Sequence, residues 1–106
     1  MKRADEDARG GNAAAEVEPE YLLRLFVAGL TARSQLAMRN LQALCDGHLA
    51  GRYRIEVVDL HQSPELARMQ QILATPTLVK VRPSPTCRVI GDLSHLDTVL
   101  HRLEIP

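Results

Sequence analysis

Four stretches of the chain have the hydrophobic pattern of β-strands. The first is continuous apart from Arg24, as expected for a central strand that is covered on both faces. The others are shorter and contain clusters of β-branched residues. The four stretches lie at 21–30, 52–60, 77–81 and 87–91. Pro83 and Pro85 separate the last two, and this spacing predicts an antiparallel hairpin.

Three stretches have helical periodicity instead, at 31–47, 63–73 and 94–103. Thr31 or Ser34 can cap the first helix, and Ser63 followed by proline and glutamate is a start signal for the second. The predicted buried stripe of that second helix is Leu66, Met69 and Leu73. The order β-α-β-α-β-β-α, with a right-handed parallel unit first, predicts an α/β protein with a thioredoxin-like arrangement.

The chain of 106 residues is long enough for one domain with a modest core. Residues 1–20 hold 3 basic and 6 acidic residues and show no hydrophobic periodicity. We expect residues 1–20 to be a disordered N-terminal extension and residues 21–106 to be the folded domain. The domain has 10 basic and 7 acidic residues, an excess too small to predict binding to nucleic acid.

The sequence gives no sign of a membrane or secreted protein. Its apolar runs are shorter than the ~18–20 residues that span a bilayer, and its charged N-terminus lacks the apolar segment of a secretory signal. The chain has two cysteines, far apart in sequence. We therefore expect a cytoplasmic protein with reduced thiols and no membrane association.

The proline after Thr75 opens a strand, where redox enzymes of the thioredoxin fold place a cis-proline. Such enzymes also need a cysteine at the start of the first helix, where the helix N-terminus stabilises a thiolate. Residues 29–34 contain no cysteine. Cys45 lies near the other end of that helix, and Cys87 begins a strand beside Arg88. Dithiol chemistry is therefore not predicted, and atypical thiol chemistry at Cys87 stays an alternative.

Other catalytic and metal-binding patterns are also missing from the sequence. The four histidines lack metal-ligand spacing, apart from the pair Cys45 and His48 on one helix. Phosphate-binding, nucleophile-elbow and zinc-protease motifs do not occur. We predict that the chain is not an enzyme and that it has no metal and no cofactor.

Four segments of the chain together form a specific pattern. They are "YLLRLFVAGLTARS" (21–34), "VVDLHQSPELA" (57–67), "ILATPTLVKVRPSP" (72–85) and "RVIGDLS" (88–94). They occur in order and cover essentially all of residues 21–103. Together they resemble the KaiB family of circadian clock proteins. The sensor domain of SasA-type clock histidine kinases is similar in sequence as well.

The resemblance implies a non-enzymatic regulator that binds KaiC, a ring-shaped ATPase, and modulates its phosphorylation and ATPase output. It also implies a KaiA-like protein or a histidine kinase as a further partner, and a homo-oligomer, a dimer or a tetramer. The family is metamorphic. Its C-terminal half adopts either a thioredoxin-like or a different arrangement, which requires two packings within a few kcal/mol of each other.

From this resemblance we expect the binding surface on the C-terminal half. The expected contacts are Gln70, Gln71, Leu73, Lys80, Arg82 and Arg88, with the basic residues facing an acidic ring surface. Thr75 and Pro76, with Pro83 and Pro85, are the expected hinge of a fold switch, because an X-Pro bond can adopt either isomer and interconverts slowly. A static proline turn is the alternative interpretation of these prolines.

Two functional alternatives remain at the level of sequence. One is the atypical redox protein already mentioned, in which Cys87 is the reactive thiol. The other is a sensor-like domain that binds a histidine kinase in trans. A clock role or a related signalling or stress role is compatible with the resemblance.

Overall fold

The computed structural model describes residues 18–106. Its elements follow the predicted order: β1 (Tyr21–Val27), α1 (Ala32–His48), β2 (Tyr53–Asp59), α2 (Glu65–Met69), β3 (Thr77–Arg82), β4 (Cys87–Ile90) and α3 (Leu96–Arg102). The disorder predicted for residues 1–17 lies outside the described residues. Between residues 18 and 106, no helix has the length and apolar character needed to cross a bilayer.

The four strands form one sheet in the order β2-β1-β3-β4. β1 pairs in parallel with β2, for example Leu25 with Val57. β1 pairs antiparallel with β3, and β3 antiparallel with β4. The predicted parallel unit and the predicted hairpin are both confirmed. β1 and β3 are central strands, whereas β2 and β4 are the edges.

The two faces of the sheet carry cores of different size. The larger core lies under α1 and α3 and includes Leu23, Leu25, Leu41, Leu78 and Leu103, all of them fully buried. The smaller core lies on the α2 face and consists of Phe26, Leu60, Ile72 and Val79, with partly buried residues around them. The short helix α2 therefore covers its face of the sheet less completely than α1 and α3 cover theirs.

The second helix is shorter than its sequence pattern predicts. It spans only Glu65–Met69, and Ser63 makes no side-chain cap. Of the stripe predicted to be buried, Met69 is 67% and Leu73 is 93% exposed, and Ile72 is buried instead. Because the helix ends at Met69, helical periodicity does not predict which face Ile72 and Leu73 occupy.

An ion-pair chain links the residues before β1 to the sheet. Glu18 lies 2.9 Å from Arg82 and 3.5 Å from Arg54, and Arg54 in turn lies 3.4 Å from Glu56. Arg24 of β1 pairs with the same Glu56 at 2.9 Å. Residues at the end of the predicted extension therefore already contact the folded domain.

Candidate partner-binding surface

The turn between β1 and α1 is where a thioredoxin-type enzyme would carry its cysteines. Here it is held by hydroxyl groups instead. Thr31 caps α1 by accepting a hydrogen bond from the Ser34 N–H at 3.0 Å. The buried Ser34 hydroxyl lies 3.0 Å from the carbonyl oxygen of Gly29 and 2.9 Å from that of Thr31. Of the two predicted caps, Thr31 is confirmed, whereas Ser34 serves the turn from inside the helix.

Asp59, at the end of β2, fixes the same turn from the neighbouring strand. Its Oδ1 accepts the N–H groups of Gly29 at 3.1 Å and of His61 at 2.9 Å. Gly29 has φ +81, and a Cβ there would lie 3.2 Å from the His61 ring. The turn is therefore closed by polar contacts, and a larger side chain at Gly29 would be strained by the positive φ and tight against the His61 ring. This role of Asp59 was not predicted, although an aspartate directly after a β-branched run is a signal in the sequence.

Neither cysteine has the surroundings of a reactive dithiol. Both are free thiols. Burial, with the nearby Asp46 carboxylate, raises the pKa of Cys45 to about 12, so that the thiol stays protonated at neutral pH. Cys87 is half-buried, and its Sγ lies 3.4 Å from the carbonyl oxygen of Pro85. Within the described part of the chain, no group of three or more histidine, cysteine or acidic residues could hold a metal ion.

Large apolar side chains are exposed where α2 and β4 meet. Met69 is 67%, Leu73 is 93% and Ile90 is 62% exposed. Together with Gln70, Gln71 and Arg88 we call these residues the α2–β4 surface. Exposed apolar side chains with polar neighbours are a common feature of protein interaction sites.

Arg88 connects the two sides of the α2–β4 surface. Its Nη1 donates to the carbonyl oxygen of Gln71 and its Nη2 to that of Gln70, both at 3.0 Å. These carbonyls belong to the end of α2, where a cation is favoured. Gln71 has φ +55, so the chain turns sharply before Leu73. The structure thus brings together four of the residues expected from the sequence, namely Gln70, Gln71, Leu73 and Arg88.

Lys80 and Arg82 are not part of this surface. Lys80 is only 1% exposed, so the expectation that its ammonium faces a partner is wrong for this conformation. It lies on the central strand β3, two residues from the buried Leu78, and strand alternation turns both side chains to the covered face. Arg82 pairs with Glu18 at the other end of β3.

Met69 and Ile90 belong to the α2–β4 surface but were missed by the sequence analysis. Met69 was assigned to a buried stripe, but it is the last residue of the short helix α2 and is exposed. Ile90 lies on β4, an edge strand, and points to the same face as Arg88 because the two residues are two positions apart. The alternation in "CRVI" was the available signal.

The predicted hinge residues flank β3 directly. Thr75 and Pro76 precede its first residue, Thr77, and Pro83 and Pro85 lie between β3 and β4. The peptide bonds before all three prolines are cis. The carbonyl of Pro76 accepts the N–H of Gly91 at 2.9 Å, which extends the pairing of β3 and β4 by one residue.

Comparison with known proteins identifies the family of this chain. Residues 24–105 match the model of the KaiB domain. The chain belongs to the KaiB family. The circadian clock oscillator protein KaiB of Prochlorococcus marinus strain MIT 9211 is 44% identical over 85 residues, 80% of this chain and 75% of that protein. KaiB of Thermosynechococcus vestitus is 42% identical over 91 residues, 86% of this chain and 84% of that protein.

Solved structures show the same fold at low sequence identity. The N-terminal domain of SasA from Synechococcus elongatus has a TM-score of 0.68 and 22% identity, and covers 92% of this chain and 93% of that domain. Chloroplastic thioredoxin z has a TM-score of 0.65 and 23% identity, with 89% of this chain and 86% of that chain covered. The predicted thioredoxin-like fold is confirmed. The KaiB relatives are named as clock proteins and not as enzymes, in agreement with the predicted class.

Proposed function

We propose that this KaiB family member is a clock-type regulator that binds a KaiC-type ring ATPase in the cytoplasm and modulates its phosphorylation and ATPase output. The binding site in this proposal is the α2–β4 surface. The main supporting observation is that Met69, Leu73 and Ile90 are exposed on the surface where Arg88 is held by two hydrogen bonds to the end of α2. The names of the curated relatives support the clock role.

In this proposal Leu73 is the main apolar contact with the partner. An apolar side chain that is 93% exposed contributes nothing to the core, and covering it with a partner recovers the free energy of burial. Arg88 positions the carbonyl groups of Gln70 and Gln71, so the backbone beside Leu73 is fixed before a partner arrives. Pre-ordering of this kind lowers the entropic cost of binding.

The proposal includes a fold switch of the C-terminal half. Thr75 and Pro76 on one side of β3, and Pro83 and Pro85 on the other, are the expected hinge residues. Their position outside the regular elements supports this, because a segment that changes its pairing has to bend at its ends. A KaiA-like protein or a histidine kinase, and a dimer or tetramer of the free chain, remain the further expected partners.

The test is size-exclusion chromatography with light scattering on the full chain, alone and with the KaiC-like ATPase of its host and ATP. We expect a complex with the ATPase ring. The mass of the free chain shows whether a dimer or tetramer precedes it. Absence of a complex under every nucleotide condition would contradict the proposal.

Two leucine variants locate the binding surface. Leu73→Asp should weaken the complex by about 30-fold or more if Leu73 is an anchor. Leu96→Asp is the matched control, since Leu96 is 43% exposed at the start of α3 and lies outside the α2–β4 surface. Equal binding by wild type and Leu73→Asp, or an equal loss in both variants, would show that the α2–β4 surface is not the site.

A further inference from the structure

A groove of about 660 Å³ lies between β4 and α3, where these two elements pack side by side. It is lined by the residues of the edge strand from Arg88 to Gly91 and by Arg33 of α1. Its floor includes Val89 and Val99, both buried. The groove therefore has two buried valines in its lining and is bordered by β4, which lacks a neighbour on its outer side in residues 18–106.

The register of β4 shows which backbone groups point into the groove. Gly91 donates its N–H to Pro76 of the adjacent chain segment, and Val89 is the Cα partner of Leu78. In an antiparallel pair, alternate residues exchange hydrogen bonds with the partner strand. The backbone N–H and C=O groups of Gly91 and Val89 therefore point toward β3. Those of Arg88 and Ile90 point away from β3, to the outer edge of the sheet. Such a row of outward groups is a template for a further strand.

The charge of the groove is positive. Three arginines line it, and Asp92 is the single acidic lining residue. Because the Arg88 guanidinium is directed to the end of α2, the positive charge of the groove comes from Arg33 and Arg102. Asp92 is already engaged, because its Oδ1 accepts the Ser94 N–H at 3.1 Å. Hydrogen bonds from Ser94, with the nearby charge of Arg33, lower the pKa of Asp92.

Arg33 and Arg102 stand at the border of the groove. Both are exposed, and the guanidinium of Arg33 lies beside Gly91, since its Nη2 would lie 3.7 Å from a Cβ at that position. Gly91 has φ +122, a conformation that favours glycine. His95 and Thr98 add polar groups along the same wall. Guanidinium groups from separate elements suit carboxylate side chains of a bound segment.

We propose that this groove binds an extended acidic peptide segment, which pairs with the outer edge of β4 as a fifth strand and places its carboxylates against Arg33 and Arg102. The outward backbone groups distinguish this ligand from a small anion, because only a peptide satisfies a row of donors and acceptors. The site differs from the α2–β4 surface: there the side chains of Arg88 and Ile90 face α2, whereas here their backbone groups face the groove. The proposal therefore does not depend on the binding of a KaiC-type ATPase.

Fluorescence anisotropy with the full chain tests this proposal. The probe is a fluorescein-labelled eight-residue peptide of alternating valine and glutamate. We expect saturable binding, and no binding of the same peptide with every backbone nitrogen methylated, because methylation removes the strand hydrogen bonds. Arg33→Glu/Arg102→Glu should weaken binding by about tenfold or more. Arg39→Glu/Arg68→Glu is the matched control, with the same change of charge at exposed positions outside the groove, and should bind as wild type does.

Amide hydrogen exchange gives a residue-specific readout of the same complex. Addition of the peptide should slow exchange at Arg88 and Ile90, while Val89 is protected with and without peptide. Equal binding of the methylated peptide, or equal losses of affinity in the two double variants, would show that the interaction is nonspecific electrostatic attraction. Either result would overturn the proposal. Protection of Arg88 and Ile90 in the free chain would overturn it as well, because the edge would then already be occupied by a second copy or by another part of the chain.

Discussion

The first half of the described chain, from β1 to β2, and the second half, from α2 to α3, are built differently. In the first half two seven-residue strands flank a 17-residue helix with a side-chain cap at Thr31. In the second half the helices have five and seven residues, and neither has a side-chain cap. Helices this short are marginal by themselves, so those of the second half depend on packing against the sheet.

Backbone conformation shows the same difference. Among residues 18–106, the non-glycine residues with positive φ are Gln71, Leu93 and Glu104, all in the second half. The left-handed region costs residues with a Cβ roughly 1–2 kcal/mol each. The first half uses glycine, Gly29 and Gly51, where it needs positive φ.

This difference bears on the proposed fold switch and on binding. Rearrangement costs less free energy in a half whose elements are short, uncapped and locally strained, since few local interactions favour one arrangement. The α2–β4 surface and the groove beside β4 both lie mainly in this half. We infer that the first half provides the rigid frame and the second half the adaptable binding surfaces.

The largest expected effect is the loss of a core leucine in the first half. Leu41→Ala removes a fully buried side chain of α1 and should lower the free energy of unfolding by about 3 kcal/mol. Leu66→Ala, at a half-buried position in α2, should cost about half as much. Urea unfolding followed by circular dichroism measures both. A greater loss for Leu66→Ala would reverse the proposed roles of the two halves.

Alkaline pH should destabilise the first half through Cys45. Its pKa is raised from 9.0 to about 12 by burial. Between these values the thiol of the unfolded chain ionises while the native thiol keeps its proton, so a rise in pH favours the unfolded state. The free energy of unfolding should fall by up to roughly 1.4 kcal/mol per pH unit between pH 9 and 11, with no contribution from Cys45 well below pH 9.

Two cysteine variants isolate this pH effect. Cys45→Ala should remove the Cys45 part of the slope between pH 9 and 11, whereas Cys87→Ala should retain it. Both variants are measured by urea unfolding at each pH. The assignment fails if the slope of Cys45→Ala equals that of the wild type.

Variants of the helix cap Thr31 measure how much local structure contributes to the stability of the first half. Thr31→Ala removes the acceptor of the Ser34 N–H and should cost about 1 kcal/mol. Thr31→Ser keeps the hydroxyl and should restore most of this loss. If serine does not restore stability, the effect comes from the lost methyl group and not from the cap. Thermal unfolding of the three proteins compares them directly.

The smallest expected effect concerns backbone strain in the second half. Glu104 is exposed and has φ +57. Glu104→Gly should stabilise this arrangement by about 0.5 kcal/mol, because relief of the left-handed conformation exceeds the entropic cost of glycine. Glu104→Ala keeps the Cβ and should give no such gain. A gain with alanine would assign the effect to the removed carboxylate, and the melting temperature distinguishes the two.

Much of the fold could be predicted because its signals are local. The continuous apolar run of β1, the threonine cap of α1 and the hairpin around Pro83 and Pro85 all follow from spacing and residue type. The family could also be identified from short segments. The end of α2 could not be predicted, since helical spacing continues through Leu73 although the helix stops at Met69. The chain leaves the helix there to bury Ile72 on the sheet.

The class of the protein, the order of its elements and the missing cysteine at the start of α1 follow from the sequence, because each depends on residue type and on neighbours along the chain. The make-up of the proposed site, in contrast, follows from the tertiary structure. It buried Lys80 on a central strand, separated Arg82 from Arg88, and joined Arg88 to the end of α2. These outcomes depend on which strand lies at an edge and which helix covers each face, and such contacts between distant residues leave no periodicity in the sequence.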